Sequence, residues 1–291
     1  MITPDDRLSI ATLLRVFRAK IAMTWGLTLV ETALFALLPL LIGYSIDGLS
    51  KGDHTSFIHF GIAMAALLIV STFRRVYDTR AYGTIRVELG KAQAKRDVGR
   101  EVSVLNARVL MARELVDFLE GEAPESMGAL VQVLVSVGIL MSFHGALATA
   151  AGTAAVLILI IFTLFSRRFF RLNGLLNQQS ERQVTALQSL DLKKIGQHLF
   201  RLRAHEVRLS DSEALVYGAI FSVLLSMLAF NLWFAATQSG ATAGQIFSVV
   251  TYSFEFVQSV VVLPMVLQSL ARLSEITERI NAPASKQGAN A

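Results

Sequence analysis

Two carboxylates stand in apolar surroundings where a charge is costly. Glu31 lies within the run Ile21–Ile46, and Glu255 lies within the run Gly244–Leu270. A carboxylate at bilayer depth costs several kcal/mol unless it faces a wet cavity, is paired or is protonated. At 1.5 Å per helical residue, Glu31, about 7 residues in from the membrane's edge, sits roughly 10 Å deep, and Glu255, about 11 residues in, sits roughly 16 Å deep, near the midplane. Gln258 lies three residues from Glu255, so both fall on nearly one face of a helix, and Tyr252 is on the same helix. Such a set can couple to an ion or attract a cationic solute. The plainer reading is packing, with Thr28, Thr32, Tyr252 and Gln258 as hydrogen-bonding neighbours. Pro39 and Pro264 follow the two glutamates at intervals of 8 and 9. Proline removes a backbone hydrogen bond and bends a helix. These two are hinge candidates for alternating access, or sites of ordinary curvature.

Other chemistry is poorly supported. The 291 residues hold no cysteine, so neither a disulfide nor a thiolate metal site is available. No His-Glu-x-x-His or Gly-x-Ser-x-Gly occurs. His59 and His144 read as loop-end histidines, because nothing nearby completes a ligand set. The expectation is a protein that is not an enzyme and uses no cofactor and no metal.

The elements that carry these residues follow from composition. Hydrophobic residues make up 53% and charged residues only 17%, against about 25% charged in a soluble domain. Mean hydropathy is +0.53. Runs of about 20 apolar residues can span a bilayer. Six occur: Ile21–Ile46, Phe57–Tyr77, Met127–Phe143, Gly145–Ser166, Ala214–Ala236 and Gly244–Leu270. The third is short, and only His144 separates it from the fourth, so the two form a hairpin. Alanines between Ala146 and Ala155 permit close packing in the fourth. Asn231 reads as an interfacial residue.

Basic residues give the orientation. Segments 1–20, 74–126, 167–213 and 271–291 hold 26 of the 27 lysines and arginines. The positive-inside rule places these segments, and both termini, in the cytoplasm. The first span then serves as an uncleaved insertion signal in the cytoplasmic (inner) membrane. These juxtamembrane charges account for the net charge of +5, so no nucleic-acid partner is expected.

The two long inside segments lack proline over 80–120 and 167–213. Leu89, Val98, Val102, Leu105, Val109 and Leu110 recur at helical steps, which predicts an amphipathic helix. Each segment is expected to be two helices joined by a turn, reaching about 33 Å from the membrane. Residues 1–20 form an N-terminal elbow whose Leu8–Lys20 stretch lies flat on the membrane. The tail 281–291 is expected to be disordered. The fold class is therefore an all-α polytopic membrane protein, with a membrane domain over 21–280.

Short motifs add to this. The first span ends in Ile46-Asp47-Gly48-Leu49. The last opens with Ser239-Gly240-Ala241-Thr242-Ala243-Gly244-Gln245-Ile246 and exits through Leu270-Ala271-Arg272-Leu273-Ser274-Glu275-Ile276-Thr277-Glu278-Arg279-Ile280. With six spans, an elbow and long helical inside segments, the chain resembles the transmembrane domain of an ABC exporter over roughly residues 8–281. The resemblance implies a domain-swapped homodimer in which the fourth and fifth helices pack against the other chain. It implies a central cavity lined by the first and sixth helices, and coupling helices near Ser103–Ala112 and Leu192–Leu202.

The sequence departs from that family where ATP chemistry would begin. The single Gly-Lys pair, Gly90-Lys91, is followed by Ala92, and Ile85 stands where a Walker A loop needs its first glycine. No Leu-Ser-Gly-Gly-Gln occurs. Two readings follow. A separate ATPase subunit docks near Ser103–Ala112 and Leu192–Leu202; or the dimer moves a small cationic or peptide solute by ion coupling or as a channel. In the second it is similar to peptide-uptake proteins that have an exporter-like membrane domain without an ATPase. A non-transporting membrane regulator is the third, since fold does not fix function.

Overall fold

The computed structural model describes residues 8–96, 102–188 and 190–281. Among them all regular structure is helical: α1 Ile10–Val16, α2 Arg18–Ser50, α3 Thr55–Arg96, α4 Val102–Glu120, α5 Glu122–Phe143, α6 Gly145–Glu181, α7 Gln183–Gln188, α8 Leu192–Thr237 and α9 Ala243–Asn281. Six stretches are long and apolar enough to cross a membrane. They fall in the order read from hydropathy. The chain divides into two compact units, 1–143 with 238–291 and 144–237.

In the first unit, α2 packs along α3 and α9, and α5 along α9. The α3 helix is 42 residues long, or about 63 Å, twice the hydrocarbon thickness of about 30 Å. Its second half and α4 form a helical arm beyond the apolar segment. Tyr82, Ile85 and Leu89 of α3 meet Ala112, Leu115, Val116 and Leu119 of α4 in one buried cluster. This is not the apolar face that spacing alone suggested for α4. Val102 and Leu110 are exposed, and the buried face comes from the C-terminal half of the helix. Val98 lies outside the described residues.

The helix that carries the third apolar run begins at Glu122, five residues before Met127. Its polar first turn lowers the hydropathy without stopping the helix. Pro124 is tolerated there because the first N–H groups of a helix have no internal partner. The break between α4 and α5 at Gly121 is held from outside. Tyr82 Oη donates to the Leu119 carbonyl at 2.7 Å, and Trp25 Nε1 donates to the same oxygen at 3.2 Å.

The N-terminal segment is a separate short helix. Ser9 caps α1, accepting the Thr12 N–H. Leu8 and Leu13 are buried in the same cluster as Leu273 and Ile276 of α9. Asn281 clasps the chain at this point: its Nδ2 donates to the Leu8 carbonyl at 2.7 Å, and its Oδ1 accepts the Leu8 N–H at 2.9 Å. The tail beyond Asn281 lies outside the described residues.

The α2–α3 turn is capped by Asp53, whose Oδ1 accepts the Thr55 N–H at 2.9 Å. That hydrogen bond holds its carboxyl below the ordinary value of 3.8. In the second unit α6 and α8 form a long antiparallel hairpin with α7 against them. His144 opens it as an N-cap: its extended backbone starts α6 and its Nδ1 accepts the Ala146 N–H at 3.1 Å. Asn231, toward the end of α8, is fully buried.

Candidate functional site: a carboxylate-lined recess

A recess of about 610 Å³ opens between α2, α3, α5 and α9, where the α4–α5 break reaches its wall. It brings Glu31, Glu255 and Gln258 together, and adds Arg74, Glu120, Glu125 and Gln132. Four carboxylates against one guanidinium leave the wall net negative when all are ionised.

The two intramembrane glutamates differ in their partners. Arg74 of α3 donates through Nε to Glu31 and through Nη1 to Asp78 at 3.1 Å. Glu31 thereby has a cation beside it, shared with Asp78. Glu255 instead accepts from the Gln132 amide of α5. Glu255 and Glu125 form no ion pair among the described residues. Glu120 is held by Arg86, which also binds Asp117 through Nη2 at 2.7 Å.

Sequence reasoning counted Arg74, at the end of the run Phe57–Tyr77, with the basic residues of segment 74–126 and gave it no part in the site. The Arg74-to-Asp78 spacing of four was the available signal. Gln132 carried a weaker one, as a lone amide in an apolar run. Neither Thr28 nor Tyr252 satisfies a glutamate. Thr28 donates to the Thr24 carbonyl at 3.0 Å.

Tyr252 does not line the recess. It is fully buried, and its Oη donates to the Ala36 carbonyl at 2.7 Å. One turn away Ser248 donates to the Pro39 carbonyl at 3.0 Å. Two α9 hydroxyls bond α2 carbonyls at and beside Pro39, as polar side chains do near prolines of membrane helices. Pro39 is thus gripped by α9. The α9 helix runs unbroken through Pro264, whose side chain lies outside those described.

At one end of this pair, the motifs around Asp47 and Gly244 meet. Asp47 Oδ2 accepts from Thr242 Oγ1 at 2.5 Å and its Oδ1 accepts the Gly244 N–H at 2.9 Å. Thr242 and Gln245 cap one another reciprocally, at 3.2 Å in each direction. A Cβ at Gly244 would strike the Gly43 carbonyl, so the two glycines set how closely α2 and α9 cross.

Among the described residues no group of three or more metal-ligating side chains forms. Six stretches long and apolar enough to cross a membrane, helical arms beyond them and an acidic recess inside the first unit mark a polytopic membrane domain. The family described as the ABC transporter transmembrane region matches residues 10–244, and the chain belongs to it. A comparison with curated proteins gave no match.

Proposed function

We propose that the recess is a binding site on the transport pathway, that it takes a cationic solute or ion, and that Glu255 is the group that binds it. The contrast between the two glutamates supports this most directly. Glu31 already has Arg74, whereas Glu255, among the described residues, is met by an amide donor and no cation. A carboxylate without a cation at this depth is costly to keep charged unless something positive arrives. Gln258 stands beside it as a neutral contact. Tyr252 acts through packing, by fixing α9 to α2. Because Pro39 is clamped to α9, a bend there carries both helices, and Pro264 remains the candidate hinge below it.

In this reading a homodimer in the cytoplasmic membrane, with both termini inside, presents two such recesses. An ion gradient acting through the same carboxylates drives the solute. Purified chain in proteoliposomes tests it: flux that follows a cation or pH gradient, with no ATPase present, is the expected result.

Family membership favours a second reading, in which a separate ATPase supplies the energy. Its docking surface would lie near Ser103–Ala112 and Leu192–Leu202, where α4 and α8 begin. Flux that appears only with ATP and an added ATPase subunit would select it.

A further inference from the structure

The second unit holds a basic cavity that the transport reading does not use. It measures about 700 Å³ and lies between α6 and α8. From α6 come Arg167, Arg168 and Arg171, and from α8 come Arg208 and Asp211. Leu164, Arg167 and Arg171 follow at steps of three and four, so they share one helix face. All four guanidiniums are exposed. Among the described residues none of the four forms an ion pair. Four like charges around one cavity, with a single carboxylate among them, call for an anion.

The surroundings say which anion. One or two turns along α6 toward its N-terminus, Leu159, Ile160 and Leu164 are exposed at 66%, 47% and 72%. That apolar face belongs to the spanning part of the helix. The arginines therefore begin where the apolar segment ends, at the depth of lipid phosphates. Guanidinium groups bind phosphate oxygens in a two-pronged geometry. Basic pockets between helices at this level hold anionic head groups. We infer that this cavity binds the phosphate of an anionic phospholipid, whose acyl chains lie along Leu159, Ile160 and Leu164. Free phosphate offers the same oxygens but no chains for that face.

Native mass spectrometry of the purified chain tests this, with phosphatidylglycerol, phosphatidylcholine and inorganic phosphate as probes. The expected result is retention of phosphatidylglycerol over phosphatidylcholine. Each Arg→Gln change among R167Q, R171Q and R208Q should lower that preference about fivefold. D211N, which removes the cavity's carboxylate, should raise it. Equal retention of both lipids by the unmodified chain would overturn the inference. So would an unchanged preference in the triple variant. Displacement of the lipid by inorganic phosphate at matched concentration would assign the cavity to a soluble anion instead. If the triple variant does not fold, D211N decides, and no rise in preference counts against the site.

Discussion

The Asp47 carboxylate accepts the backbone N–H of Gly244 at 2.9 Å, across 197 positions of sequence. A side chain at the end of α2 thus caps the start of α9. Caps satisfy N–H groups that a helix cannot, and an acidic one also favours the positive end of the helix dipole. Asp47→Ala should cost about 1–2 kcal/mol, read as a lower Tm of the protein in detergent. Asp47→Asn should retain most of the stability, because the amide oxygen still accepts.

Gly244→Ala should be more damaging than a usual glycine-to-alanine change within a helix. Its Cβ would meet the Gly43 carbonyl oxygen and the Asp47 carboxylate, which are backbone and a capping group with nowhere to go. Overpacking of this kind costs about 1–3 kcal/mol. Gly61, whose Cβ would meet nothing, is the control. Gly61→Ala should leave Tm unchanged or raise it slightly.

Six spans, their order, the helical arms and the contact-bearing motifs were legible because each depends on local composition and period. The partners of the glutamates were not. Glu31 and Arg74 are 43 positions apart, and Gln132 and Glu255 are 123 apart, so packing alone pairs them. Tyr252 shared the Glu255 helix on paper. Its ring nevertheless turns into the α2 contact, where its hydroxyl donates to the Ala36 carbonyl. The buried face of α4 was misjudged for a related reason: a helix with scattered apolar residues offers two faces, and the α3 cluster selects one.

The Arg74 cluster should behave as a unit. Arg74→Gln leaves Glu31 and Asp78 without their cation in a partly enclosed site, and should destabilise by roughly 1–3 kcal/mol. Adding Glu31→Gln should recover part of that loss, since the orphaned charge is then gone. A double-mutant cycle in thermal or denaturant unfolding reads the coupling. Strict additivity would show that the pair contributes nothing.

Tyr252→Phe removes one hydroxyl and leaves the ring. It should lower stability by about 1 kcal/mol through the unpaired Ala36 carbonyl, and solute affinity should be unchanged. A loss of affinity without a loss of Tm would place Tyr252 on the pathway after all.

The most direct measurement compares gradient-driven flux in proteoliposomes carrying the unmodified chain, Glu255→Gln and Glu31→Gln at equal protein density. The account predicts robust flux in the first, a loss of at least about tenfold in the second, and a smaller loss in the third, where a paired carboxylate is replaced. Glu255→Gln flux equal to that of the unmodified chain would contradict the central role of Glu255 in this recess.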